Sequence, residues 1–250
     1  MASIVPDLHF GAAGALGAAE TAKQARWMED LGFEYFSAGE HFMRGNPPGP
    51  THAALPLMAV AAGATEKIRV LSSIILTPFY HPLMLAKMTT TLDIASAGRL
   101  TLGVGVGGEF PVEFEAAGLN VRQRGRRTDE CLEVLRRLWT EPLVTFDGTW
   151  DRITDAGLNP LPKQQPIPIW IGGHADVTLR RAARLADGWL PLFPPDENGA
   201  AEIAKFKNYV RVAGRDMADV GLESWLNIGN YDDGFGAQYD TEESWHDWAG

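Results

Sequence analysis

The feature that most constrains this chain is one pattern repeated in one direction: a short apolar run, then a longer stretch with helical spacing. "SIVPDLHF" is a weak first strand, and "AAETAKQARWMEDLG" is a helix closed by Gly32. "FEYFSAGEH" reads as the second strand and "ALPLMAVAAGAT" as a buried helix. "IRVLSSIILTP" is a β-branched third strand stopped by Pro78, and "PLMLAKMTTTLDIASAG" a helix ending at Gly98. "RLTLGVGV" is the fourth strand. "RRTDECLEVLRRLWTE" is an amphipathic helix with Leu132, Leu135, Leu138 and Trp139 on one face. "VTFDGTWDRI" predicts a hairpin turning at Asp147-Gly148, followed by the proline-rich connector "NPLPKQQPIP". "IPIWIGG", "DGWLPLF" and "LESWLNIG" supply the remaining strands, separated by the helices "ADVTLRRAARLA" and "AAEIAKFKNYVRVAG".

Strands separated by helices lie parallel in a sheet. Seven such units, with no composition break between the halves, predict an α/β fold of the TIM (β/α)8 barrel type rather than a doubly wound sheet. The repeat stops at seven, and an eighth strand and helix are not visible. We therefore expect one barrel domain over residues 1–250 that lacks the last strand–helix unit. The hairpin and proline-rich stretch form an insertion at about 143–167, and an acidic, aromatic tail at about 230–250 is irregular. At 250 residues and 45% hydrophobic, the chain has the material for a core of that size.

Charge narrows the function. With 22 Lys and Arg against 32 Asp and Glu, the net charge is −10. That is the wrong sign for a phosphate backbone, so no nucleic-acid partner is expected. No apolar run approaches the roughly 18 residues of a membrane span. The start "MASIVPDLHFGAAG" lacks the basic-then-apolar order of a secretory leader. A cytoplasmic protein without a membrane partner is the expectation. The lone cysteine, Cys131, can form no internal disulfide, and its helical neighbours Leu135 and Leu138 predict a core thiol. No metal site is expected.

"RLTLGVGVGGEF" holds G-x-G-x-x-G at Gly103, Gly105 and Gly108, the spacing of a dinucleotide loop. Such a loop belongs to the first βαβ unit, opens a helix on its glycines, and has an acidic residue about 20 positions on at the next strand end. Here three βα units come first, and the acids at that distance, Asp129 and Glu130, lie in a helix. Two explanations remain level on the residues alone. One is a strand end where a flat ligand lies against bare backbone, and the other is a turn that needs glycine for conformation only.

"LDIASAGRLTLGVGVGGEFPVEFEAAG", "RGRRTDECLEVLRRLW" and "PIPIWIGGHADVTLRRAARLADGWLP", in that order and spacing, resemble the bacterial luciferase-like monooxygenase superfamily. The likeness runs from Ala22 to Leu192. It implies a TIM barrel that binds FMN or the deazaflavin F-420 at the C-terminal ends of its strands. In "GEHF", Glu40 and His41 sit where members carry an acidic–histidine pair, with His41 as the main acid–base group. Gly45 stands where one deazaflavin subgroup has tryptophan. The resemblance places a non-proline cis peptide at Ser73–Ile74, behind the cofactor ring, and implies that Ser73, Ile74 and Thr77 bind the cofactor. Gly105, Val106 and Gly107 would line the ring or its ribityl chain, and Glu109 would be an acid. Gly172, Gly173, His174 and Ala175 would hold the cofactor phosphate at a helix start. Ala175 replaces a common hydroxyl residue, and Asp176 is expected as the helix N-cap.

Three arginines, Arg124, Arg126 and Arg127, look like a phosphate clamp, but their acidic neighbours Asp129 and Glu130 favour structural ion pairing. "MRGNPPGPTHAALP", which contains His52, reads as a lid or pocket wall. The resemblance implies an oxidoreductase that uses reduced FMN and O2 to oxygenate a small organic molecule. A separate flavin reductase would supply the cofactor, and the chain would form a homodimer. Two alternatives stand beside it: hydride transfer with F-420, and a non-catalytic flavin-binding or truncated, inactive barrel.

Overall fold

Apolar runs bounded by glycine and proline become parallel strands, and the stretches with helical spacing become the helices between them. A computed structural model describes residues 10–11, 17–191, 197–223, 226–227 and 237–238. The chain divides into two units between Ile169 and Trp170. The first unit opens with β1 (Phe10–Gly11), α1 (Ala18–Asp30), β2 (Tyr35–Ala38), α2 (Ala54–Ala64), β3 (Arg69–Ser72) and β4 (Ile75–Leu76). It continues with α3 (Pro82–Ala95), β5 (Leu100–Gly105), α4 (Pro111–Ala116), α5 (Arg124–Thr140), β6 (Val144–Asp147) and β7 (Arg152–Ala156). β1, β2, β3 and β5 are neighbours in that order and all parallel; Phe10 lies opposite Phe36, Phe36 opposite Val70, and Val70 opposite Leu100. β4 runs beside the end of β5, with Ile75 opposite Val104. The expected third strand is thus two pieces, broken at Ser73–Ile74. Of the expected first strand "SIVPDLHF", only Phe10 lies within the described residues.

Two polar clusters tie the first unit's loops to its core. Arg99 donates to the carbonyls of Ile68 (2.6 Å), Ser96 (2.7 Å) and Ala62 (2.8 Å), closing the C-terminal end of α2. Glu29 accepts the N–H groups of Glu66, Lys67 and Ile68, which turn the chain into β3. α5 buries Cys131, Leu132, Leu135, Leu138 and Trp139 on one face, as the spacing predicts. The hairpin forms, but its turn is wider than the Asp147-Gly148 pair expected. Its loop runs over residues 148–151, with Gly148 N–H donating to Asp151 C=O at 3.0 Å. Glu130 in α5 supplies the acceptors this wider loop needs, taking N–H groups from Thr149, Trp150 and Asp151 at 2.8, 2.9 and 2.8 Å.

In the second unit, β8 (Ile169–Gly172, its first residue in the other unit) is followed by α6 (Asp176–Leu185), β9 (Gly188–Leu190), α7 (Glu197–Val212) and β10 (Gly221–Leu222). The helix α7 starts at Glu197, ahead of the Ala200 expected. β8, β9 and β10 are parallel, with Trp170 opposite Gly188 and Gly188 opposite Gly221. The Trp170 indole lies across both glycines, because a Cβ at either would come within 2.3 and 2.4 Å of its ring. Trp189, one step along the strand and so on the other face, is fully buried and packs on Phe206 of α7 at 4.6 Å. β11 (Leu226–Asn227) and β12 (Ala237–Gln238) pair with each other in parallel. The rest of the tail expected at about 230–250 lies outside the described residues.

Among the described residues no helix is long and apolar enough to cross a membrane. No group of three or more His, Cys, Asp or Glu among them could hold a metal ion. Burial, with Asp151's charge nearby, pushes the Cys131 thiol up to about 12. Only the thiolate reacts with alkylating agents. At about pH 8, iodoacetamide is therefore expected to leave the native protein unmodified and to label Cys131 once in denaturant. Rapid labelling of the native protein would show that this thiol is not packed in the core.

Candidate active site

The parallel register brings three chain exits to one edge of the first unit's sheet. Ala38 lies opposite Ser72, and Leu76 opposite Gly105. Hence Glu40 and His41 leave β2, Ser73 and Ile74 leave β3, and Val106 to Glu109 leave β5 on the same side. The Ser73–Ile74 peptide is cis, where the resemblance placed it. Two glycines make room for this bulge. A Cβ on Gly39 would stand 2.8 Å from the Ser73 carbonyl oxygen, and one on Gly105 would stand 1.8 Å from Ile74 Cδ1.

His41 is held through its backbone and at its ring. Its N–H donates to Thr51 Oγ1 at 3.1 Å, and that hydroxyl lies 3.4 Å from its C=O. The ring edge meets Phe110 at 4.9 Å and 82°. On one flank, Nδ1 lies 3.5 and 3.4 Å from the two oxygens of Glu113, a fully buried carboxylate. On the other, Nε2 lies 3.8 Å from Glu109, whose side chain is 40% exposed. Glu113 also accepts the N–H groups of Phe42 (3.1 Å) and Met43 (3.3 Å). It thereby fixes the backbone that carries the imidazole. Phe42 is 60% exposed and stacks on Phe79 at 5.5 Å, and Phe79 packs on the buried Phe114 at 4.7 Å.

The structure gives several expected site residues a different duty. Glu40 accepts from Ala54 N–H (3.0 Å), Leu76 N–H (3.3 Å) and Tyr80 O–H (3.0 Å), joining the start of α2 to β4. It positions the site rather than facing it as a free acid. Thr77 spends its hydroxyl on Gly105 C=O (3.2 Å) and Thr128 Oγ1 (2.8 Å). The space beside Gly105 belongs to Ile74, and that beside Gly107, at φ +63°, to Leu76 and Phe114. The two glycines therefore admit protein side chains, while Ile74 and Val106, both half-buried, remain at the edge. Arg124 is structural, but through carbonyls rather than an ion pair: it donates to Gly107 C=O (3.0 Å) and Val121 C=O (2.9 Å). Arg126 lies over the Trp150 ring at 5.6 Å.

In the second unit, Gly172 ends β8, Gly173 takes φ +124°, and His174 and Ala175 are exposed ahead of α6. Asp176 was expected as the N-cap, but Ala175 occupies that position and makes no side-chain cap. The Asp176 carboxylate turns instead to Tyr209 O–H (2.5 Å), Arg180 Nε (2.8 Å) and Lys205 Nζ (3.0 Å). These donors, Tyr209 foremost, hold it well below the usual carboxylate range.

A family model of luciferase-like monooxygenases matches residues 2–226. This chain belongs to the luciferase-like monooxygenase family. The FMNH2-dependent dimethylsulfone monooxygenase of Pseudomonas putida is 33% identical over 169 residues, which are 66% of this chain and 46% of that protein. The F-420-dependent glucose-6-phosphate dehydrogenase of Nakamurella multipartita is 31% identical over 192 residues, 74% of this chain and 56% of that one. The coenzyme F-420-dependent tetrahydromethanopterin reductase of Methanopyrus kandleri superimposes with a TM-score of 0.76 at 21% identity, over 91% of this chain and 68% of its own. Its likeness concerns the fold, the α/β barrel type that the repeat of strand and helix predicted. The chain spans about half the length of the curated relatives it matches.

Within this family frame, the sequence missed Glu113. Its one signal is position: Pro111 opens α4, which puts Glu113 at the third helical residue, where a carboxylate reaches backbone N–H groups.

Glu40 supplies a test of the clamp. Burial raises its pKa above 4.5, against the hydrogen bonds from Ala54, Tyr80 and Leu76. The folded chain thus binds this proton more tightly than the unfolded chain. Its contribution is fullest below the ordinary carboxylate range and falls as pH rises from about 4 through the raised folded value. In urea unfolding at a series of pH values, the stability of wild type relative to Glu40→Gln should decline across that window. A difference that grows with pH would contradict the assignment.

Proposed function

We propose that this protein is an oxidoreductase that holds reduced FMN beside a small organic substrate, with His41 moving the proton. The observation that carries this reading is the His41 ring, fixed on its Nδ1 side by a buried carboxylate and left with Nε2 toward the half-exposed Glu109. The residues at this edge fit a flat, partly apolar group. Ile74 is an aliphatic support seated on Gly105, and Val106, half-buried, follows Gly105 in the exit of β5. Ser73, Ile74, Val106 and Gly107 would hold the ring. Gly172, Gly173, His174 and Ala175 would offer backbone N–H groups to a phosphate.

When bound, reduced FMN with O2 supplies oxygen transfer, and F-420 supplies a hydride. The chain's own residues orient and protect. His41 would give or take a proton at Nε2, with Glu109 as its polar neighbour on the open side. Phe110 places aromatic surface against the imidazole edge. Glu40 and Glu113 keep the two loops in place. FMN is preferred because Gly45 stands where one deazaflavin subgroup carries tryptophan. The likeness to an F-420-dependent dehydrogenase favours the second reading, hydride transfer with the deazaflavin. A separate flavin reductase, a cytoplasmic setting and a homodimer belong to the same proposal; light scattering at micromolar concentration should give twice the chain mass.

Titrating the purified chain with FMN and with F-420, followed by absorbance and fluorescence, tests the reading. Saturable binding of FMN, and redox cycling once a flavin reductase is added, is the expected result. Binding of F-420 alone would move the assignment to hydride transfer. Flavin binding without turnover would make it a non-catalytic flavoprotein, and binding of neither would overturn the proposal.

A further inference from the structure

We propose that Glu113 is the positioning residue that fixes His41 as the Nδ1–H tautomer and so makes Nε2 the atom through which protons pass. The inference rests on the reading of His41 as the proton-moving group and assigns its two nitrogens separate tasks.

Two carboxylates flank the ring and compete for the single proton of the neutral imidazole. Glu113 lies 3.4 Å from Nδ1 with a side chain of 0% exposure. Glu109 lies 3.8 Å from Nε2 with 40% exposure. Water screens an exposed charge strongly, whereas a buried one acts through a much lower effective dielectric. The closer, drier carboxylate therefore takes the N–H. Glu113 cannot easily turn away, because Phe42 and Met43 N–H groups hold the same headgroup. Thr51 holds the backbone that carries the His41 ring, and Phe110 meets the ring itself edge-on. Glu40, the third carboxylate whose charge reaches His41, is committed to Ala54, Leu76 and Tyr80.

The consequence is a defined proton path. A proton taken from a substrate group forms a bond to Nε2, while the electron pair of the broken bond stays on the substrate atom. The resulting imidazolium keeps its Nδ1–H toward Glu113, whose charge offsets it. In the reverse direction the same Nε2–H donates. Glu113 touches neither substrate nor cofactor in this scheme; it acts only through His41 and the loop.

The test is direct observation of the ring nitrogens in 15N-labelled, ligand-free protein by long-range proton–nitrogen correlation at about pH 9, where an imidazole is ordinarily neutral. The spectrum of His41→Asn identifies which of the six histidines is His41. The expected pattern is an N–H-type shift for Nδ1 and a lone-pair-type shift for Nε2. Glu113→Gln should lose that pattern and average the two shifts, Glu113→Asp should restore part of it, and Glu109→Gln should leave it in place. A wild-type His41 with its proton on Nε2 would overturn the inference even if every Glu113 variant failed to fold. Because no flavin is present, failure of the cofactor titration and failure of the tautomer assignment are read separately.

Discussion

The candidate site depends on carboxylates that accept backbone N–H groups. A buried N–H left without an acceptor costs roughly 1–3 kcal/mol, so a loop that leaves a sheet edge needs acceptors from somewhere. Here side chains provide them. Glu113 holds the chain at Phe42 and Met43, and Glu40 holds it at Ala54 and Leu76. The same device recurs away from the site, where Glu29 gathers three N–H groups before β3 and Glu130 gathers three in the hairpin loop. A chain with a net charge of −10 thus commits part of its acidic excess to internal hydrogen bonds rather than to solvent.

Steric fit supplies the second constraint. On the residues alone, the glycines around Gly105 fitted equally a bare backbone under a ligand and a turn that needs glycine for its conformation. The structure places a protein atom beside each: Ile74 beside Gly105, Leu76 and Phe114 beside Gly107, and the Arg124 guanidinium beside Gly108. Gly107 and Gly108 also carry positive φ, which side chains resist. Packing of a bulge, a short helix and an arginine against one strand end accounts for Gly105, Gly107 and Gly108. What stays at the edge is Ile74, pushed outward by the bulge that Gly39 and Gly105 admit.

The fold was legible because period carries it. Leu132, Leu135, Leu138 and Trp139 recur at helical spacing and are all buried, and the alternation of strand and helix fixed the parallel order. His41 was legible only through the motif around it. Glu113 was not, because α4 is too short for its period to sort Glu113 from Glu115. One is fully buried and the other exposed, a difference set by Phe42, Met43 and His41, which lie some seventy positions away. The duty of Glu40 failed to show for the same reason, since its partners at Ala54, Leu76 and Tyr80 come together only once the strands pair. Turn geometry was missed at the hairpin, where Glu130, a residue of another element, decides the loop.

Asp176 shows how a local rule yields to a tertiary one. By sequence it is a good N-cap, and an N-cap carboxylate would cover the donors at the start of α6. In the fold its charge is drawn toward α7 by Lys205 and Tyr209 and along α6 by Arg180. Those partners remove two liabilities at once. The carboxylate no longer competes for the first-turn N–H groups, and its negative charge is offset by two cations rather than left to oppose an anion. Ala175, without a hydroxyl, adds no donor of its own. Any phosphate held at this helix start therefore depends on main-chain N–H groups and on the positive end of the helix dipole, contributions that a side-chain substitution at Ala175 would supplement rather than replace.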